Sequence, residues 1–191
     1  MPSPIEFLKK RKSIPSSFLA PPAPSEAELT EILTVAARVP DHGKLAPWRF
    51  IVFGGDAGAQ AGALLADLYA RRNPGADAKA LDGERTRLSQ APLVVGVVST
   101  AAPHVKIPEF EQVLSAGNTA MAMLLAAEAL GFAAHWTTGW IAYDEEAGRI
   151  LGLRPGERFV GFIHIGRPTS PPVDRPRPAL TDIVSVWQPP A

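Results

Sequence analysis

The run Leu93-Val94-Val95-Gly96-Val97-Val98, introduced by Pro92, constrains this chain more than any other stretch. A short, continuous, β-branched run with no polar alternation describes a strand buried on both faces. The rest of the chain must then cover it above and below. Ser3-Pro4-Ile5-Glu6 reads as a helix start, with Ser3 as N-cap, Pro4 as first helical residue and Glu6 closing a capping box. That helix runs to about residue 10. Ser25-Glu26-Ala27-Glu28 repeats the box, and Leu29, Ile32, Leu33 and Ala36 follow at helical spacing until Pro40. The pattern predicts further helices over 57–71, 77–89, 110–130 and 144–151, the third stopped by Gly131. Strands are expected over 48–53, 132–138 and 159–165, and 182–187 could add one more. Every long connection is helical. The fold class is therefore α+β, a mixed central sheet flanked by helices, in one domain over 1–191. A proline-rich tail occupies about 167–191.

Charge and composition remove several functions. Nineteen basic residues balance nineteen acidic ones, so there is no broad basic field for nucleic acid or an anionic membrane. The absence of cysteine excludes disulfides, thiolate catalysis, iron–sulfur clusters and cysteine-bound zinc. Glu6, Lys9, Lys10, Arg11 and Lys12 stand where the apolar core of a signal peptide would lie. The most apolar stretch, 121–134, is interrupted by Glu128 and Gly131 and is too short to span a bilayer. A cytoplasmic protein with no membrane partner is the expectation. The prolines crowd the first 47 residues and the tail, marking extended arms and turns.

Three constellations could carry chemistry. Arg11-Lys12-Ser13 places two cations and a hydroxyl past a helix end, where they can hold a phosphate or simply favour the helix dipole. Arg38-Val39-Pro40-Asp41-His42-Gly43-Lys44 is either a binding loop on a rigid support or a plain helix C-terminus with a turn. His135-Trp136-Thr137-Thr138-Gly139-Trp140 offers hydroxyls and indoles as a floor for a flat aromatic ligand, or else a core strand with satisfied threonines. His42, His104, His135 and His164 lack metal-ligand spacing, so no metal site is expected. There is no nucleophile elbow, no P-loop and no G-x-G-x-x-G. His164, inside an apolar strand, reads as a satisfied buried histidine.

Taken together these segments resemble the nitroreductase family, in particular its small single-domain branch. The likeness is carried by Arg11-Lys12-Ser13, Arg38-Val39-Pro40-Asp41-His42, Ala46-Pro47-Trp48 and Ser115-Ala116-Gly117 with Ala120-Met121-Ala122-Met123. It continues through Gly131-Phe132, Trp136-Thr137-Thr138-Gly139, Val160-Gly161-Phe162 and Ile165-Gly166. The resemblance implies an intertwined homodimer with FMN held between subunits. Arg11, Lys12 and Ser13 would meet the phosphate and ribityl chain, Arg38 and His42 would come from the second loop, and Trp136, Thr137 and Thr138 would line the flavin edge. NAD(P)H would be the co-substrate, with 126–130 near it, and a flat electron-poor small molecule such as a nitroaromatic or quinone would be the acceptor. Kinetics would be ping-pong, and no catalytic protein side chain is implied, because the flavin carries the chemistry. Two departures stand out: Lys12 and Thr137 occupy positions where the branch often has arginine. Arg167 is a candidate source of the missing charge. Other members of the fold dehalogenate, fragment the flavin or reduce activated double bonds, behind a lid for which 73–84 and 100–108 are candidates. A flavin-binding sensor or carrier without turnover is the alternative of a different class.

Overall fold

A computed structural model describes residues 3–190. Both capping boxes close. Helix α1 (Pro4–Lys10) starts on Ser3, whose side chain accepts from the Glu6 N–H while Glu6 reaches back to the Ser3 N–H. Strand β1 (Leu19–Ala20) is short, and α2 (Glu26–Ala36) begins with the same reciprocal pair between Ser25 and Glu28. Then follow β2 (Trp48–Gly54), α3 (Ala57–Arg72), α4 (Ala78–Thr86), β3 (Leu93–Ser99) and the long α5 (Glu109–Ala129). The chain ends with β4 (Ala133–Thr137), α6 (Glu145–Ile150), β5 (Arg158–Pro168) and the one-turn α7 (Leu180–Ile183).

Strand β3 is buried along its whole length, as its composition requires. It lies between β2 and β5, and β5 also pairs with β4 and, at its end, with β1. The α+β class forms as expected, and each ladder among the described residues is antiparallel. Hydrophobic pattern carries no strand direction, so that detail was not open to sequence reading. Odd-numbered β3 residues Val95 and Val97 join Ile163 and Ile165 of β5 against Ile32 of α2 and Ala120, Met123 and Ala127 of α5. Val94 and Val98 face the other way, into Leu65 and Leu68 of α3, Leu88, Phe159 and Phe162. The 2-residue period of the strand thus builds two cores from one run.

The tail departs from expectation. Residues 182–187 form no strand; the chain makes the turn of α7 and continues extended, and residues 169–190 are exposed throughout. Pro171, Pro172, Pro176 and Pro178 carry the tail off the sheet, since proline supplies no ladder donor. No helix among the described residues is long and apolar enough to cross a membrane.

Glycine sets one packing distance. A Cβ on Gly62 of α3 would lie 1.9 Å from the Arg85 carbonyl oxygen, and one on Gly58 would lie 2.2 Å from that of Leu88. Backbone atoms cannot swing aside. Gly62→Ala is expected to destabilise by about 1–3 kcal/mol, lowering Tm by roughly 2–4 °C per kcal/mol for a chain of this size. Gly83→Ala, at an exposed position of α4 with nothing near its Cβ, should instead raise stability by ~0.5–1 kcal/mol. Thermal melts of the two variants check both signs.

Candidate functional site

The first and third constellations come together in one chain. The segment after α1 runs beside β4: the Ile14 N–H donates to the Ala134 carbonyl (3.3 Å) and the Ser16 N–H donates to His135 Nδ1 (3.2 Å). This lays Arg11, Lys12 and Ser13 against the start of β4 and the end of α5. Arg11 makes one long bond, to Ser13 Oγ at 3.4 Å. Lys12 approaches only Asp174 of the tail, at 3.9 Å. Burial pushes the Glu128 carboxyl up, and the Arg11 charge opposes that. Lys12, Leu124, Glu128, Phe132 and Ala133 border a hollow of about 160 Å³, smaller than the roughly 300–1,000 Å³ typical of a ligand pocket.

Thr137 and Thr138 close β4 before Gly139 turns the chain at φ 73°. Trp136 donates from its indole to the Val160 carbonyl at 3.3 Å. That seat exists because residue 161 has no side chain: a Cβ there would fall 2.1 Å from Trp136 Nε1 and 2.7 Å from the Thr137 carbonyl.

Arg38 and His42 lie elsewhere. The loop carrying them is tightly determined. Lys44 (φ 57°) and Ala46 (φ 46°) adopt the left-handed region, costly for residues with a Cβ. The Asp41 carboxylate holds them there by accepting from the N–H groups of Leu45 and Ala46. Ser115 of α5 donates to the Pro40 carbonyl, and His42 bonds Glu111 at 2.7 Å. Arg38 is exposed, and its guanidinium has no hydrogen-bond or ion-pair partner among the described residues. The loop is therefore anchored near the N-terminal end of α5, whereas Arg11 and Lys12 sit at its C-terminal end. From Glu111 to Glu128 the helix rises about 25 Å. One copy of the chain brings two of the three constellations together and leaves the third far off.

Several contacts near the site carried no readable signal in the sequence. Arg87, at the end of α4, chelates buried Glu84 with two N–H groups, and Trp140 donates to the same carboxylate at 3.0 Å. The Arg87 Nη1 atom stands 3.1 Å from where a Gly139 Cβ would be. His164, 2% exposed, bonds Thr137 through Nε2 but leaves Nδ1 without a partner, so it is not the satisfied histidine that its apolar strand suggested. These links depend on the register of β4 against β5 and on where α4 ends. Arg167 does not supply charge near Thr137. Its guanidinium stacks on Phe132 at 3.8 Å and donates to the Gly131 carbonyl, at the opposite end of β4. Of the two lid candidates, 73–84 is packed against α3 and ends on buried Glu84, while 100–108 is an exposed loop.

The model of the nitroreductase family matches residues 8–167. The chain belongs to the nitroreductase family. It is 36% identical over 182 residues to YdjA of Escherichia coli K12, a candidate NAD(P)H nitroreductase by name, covering 93% of this chain and 97% of that one. As a nitroreductase-family fold it is similar to a nitroreductase-like family protein of Bacillus cereus, with a TM-score of 0.81 at 21% identity, covering 98% and 97% of the two chains. A nitroreductase of Bacteroides fragilis, solved with FMN bound, matches at a TM-score of 0.69 and 18% identity, over 98% of this chain and 100% of that one. The family's members are oxidoreductases, and this chain is one by descent.

Gly161→Ala should displace Trp136 and the end of β4, costing about 1–3 kcal/mol. Near-UV circular dichroism should change with it. A variant with unchanged spectrum and Tm would show that the indole has room to spare.

Proposed function

We propose that this nitroreductase-family chain binds FMN between two copies of itself and uses it to pass hydride equivalents from NAD(P)H to a flat, electron-poor acceptor such as a nitroaromatic or quinone. The observation that carries the reading is the division of the site along α5. Arg11, Lys12 and Ser13 lie beside β4, while Arg38 and His42 lie about 25 Å away along that helix. A two-fold pair of α5 helices running antiparallel would bring the Arg38–His42 loop of one copy to the Arg11–Ser13 segment of the other.

Chemistry supports the same assembly. Along α5, Phe110 (70% exposed), Leu114 (52%) and Met121 (38%) recur at helical spacing on a face left open among the described residues. A stripe of that kind favours a protein partner. The donor set also fits FMN. Arg11 and Ser13 keep nearly all their N–H and O–H groups unspent, which suits a phosphate. Trp136, Thr137 and Thr138 end a strand at a glycine turn, where a planar ring can rest. The Bacteroides fragilis relative holds FMN on the same fold.

When bound, FMN supplies the two-electron redox chemistry that no side chain here could. Arg11 and Lys12 neutralise phosphate charge and favour electron-rich states nearby. The Arg38–His42 loop, held rigid by Asp41, closes the site from the partner. One open face serving co-substrate and acceptor in turn leads to ping-pong kinetics, seen as parallel double-reciprocal plots.

Arg11→Ala should weaken FMN binding by about 10- to 100-fold, the worth of a charge-assisted phosphate contact. Quenching of FMN fluorescence on titration measures it, and an unchanged Kd removes Arg11 from the site. Leu114→Glu, on the exposed face of α5, should give a folded monomer by sedimentation that no longer retains FMN. A monomer that stays yellow would place the flavin within one chain. Anaerobic bleaching by NADH or NADPH, followed by recovery on adding an acceptor, tests turnover; binding without bleaching would mark a carrier.

A further inference from the structure

Three side chains on one face of the sheet stand close together. His135 and Thr137 lie two apart on β4, and His164 stands directly across from His135 on β5. The His135 and His164 rings are 6.4 Å apart, and Thr137 Oγ1 is 3.0 Å from His164 Nε2. The Ser16 N–H donates to His135 Nδ1, which puts that ring's own proton on Nε2. His164 Nδ1 is buried with no hydrogen-bond partner among the described residues.

We infer that His164 is a positioning residue: it donates from Nε2 to Thr137 Oγ1 and so turns the Thr137 O–H outward, as a fixed donor to a carbonyl oxygen or imine nitrogen on the edge of a planar ligand. A neutral imidazole has one N–H to place. On Nδ1 it would be a buried proton with no acceptor, in the positive field of Arg87. On Nε2 it meets the Thr137 oxygen, and only a lone pair stays unpaired, which is the more tolerable defect. The ring is neutral at ordinary pH, because burial first, then the charges of His135 and Arg87, hold its pKa down to about 4. The Thr137 hydroxyl makes no other hydrogen bond among the described residues, and the side chain is half-buried, so its proton faces the open side of the strand end. The cost of one orphaned nitrogen under the sheet is thus matched by a pre-aimed donor at its rim.

The inference rests on the proposal that FMN lies on this segment, and the test separates the two. Long-range 15N–1H spectra of the flavin-stripped full chain should show His164 protonated at Nε2, with or without FMN. Thr137→Val and His164→Leu should each weaken FMN binding about 5- to 10-fold, and the double variant no further. His164→Leu should leave Tm unchanged or higher, since it removes a buried polar atom. His164→Gln, which restores a donor near the Nε2 position, should bind FMN within about twofold of wild type. Protonation at Nδ1, unchanged affinity in His164→Leu, or additive losses in the double variant would overturn the inference while wild-type binding stands. Failure of the wild-type chain to bind FMN would overturn both readings, whatever the tautomer.

Discussion

Seven consecutive residues of β3 are buried, and the rest of the molecule is arranged to make that tolerable. Each of those residues carries backbone groups that cost free energy when buried unpaired. Antiparallel ladders to β2 and β5 satisfy them along the strand's length. Its side chains, alternating by the period of the pleat, then serve two separate cores, with α2 and α5 over one face and α3, α6 and Leu88 over the other. Gly58 and Gly62 let α3 come down onto the last turn of α4 and the chain just after it. A layer structure follows from one strand that cannot face solvent.

The same arrangement decides where chemistry can occur. Helix α5 covers β3 and β5 with Ala116, Ala120, Met123 and Ala127, and it separates the basic segment after α1 from the strained loop after α2. Its outward face remains apolar. The proposed pairing with a second copy starts from this division of the candidate groups between the two ends of a half-covered helix. In this setting the departures from the family pattern become local questions of geometry. Thr137 carries no charge, but Arg87 stands close by on a different element, fixed by Glu84 and Trp140. Arg167, nearer in strand position to Gly131, is committed to Phe132.

Much of the fold was legible in particular residues. Ser3 with Glu6, and Ser25 with Glu28, announced their helices, because a capping box is a local bargain between neighbours. Gly131 stopped α5, and the β-branched run of β3 declared its burial. The tail misled: 182–187 has strand composition, yet a strand exists only where an edge accepts it, and the prolines before it steer the chain away. The candidate site was proposed from residue types, since Arg11-Lys12-Ser13, Arg38, His42 and Trp136-Thr137-Thr138 each sit in a recognisable segment. Their relation in space was not legible. His164 looked satisfied because a strand pattern says nothing of which nitrogen finds a partner.

The sequence by itself determined the helices, the buried strand, the two-sided core and the kinship with nitroreductases, all of which depend on neighbours within a few residues or on ordered segments. Only the tertiary structure decided that the Arg11–Ser13 segment runs beside the start of β4 while His42 lies by the N-terminal end of α5, that Arg87 reaches the turn at Gly139, and that His164 meets Thr137. Those relations come from strand register and helix placement, which arise from the packing of distant parts and leave no mark in the local order of residues.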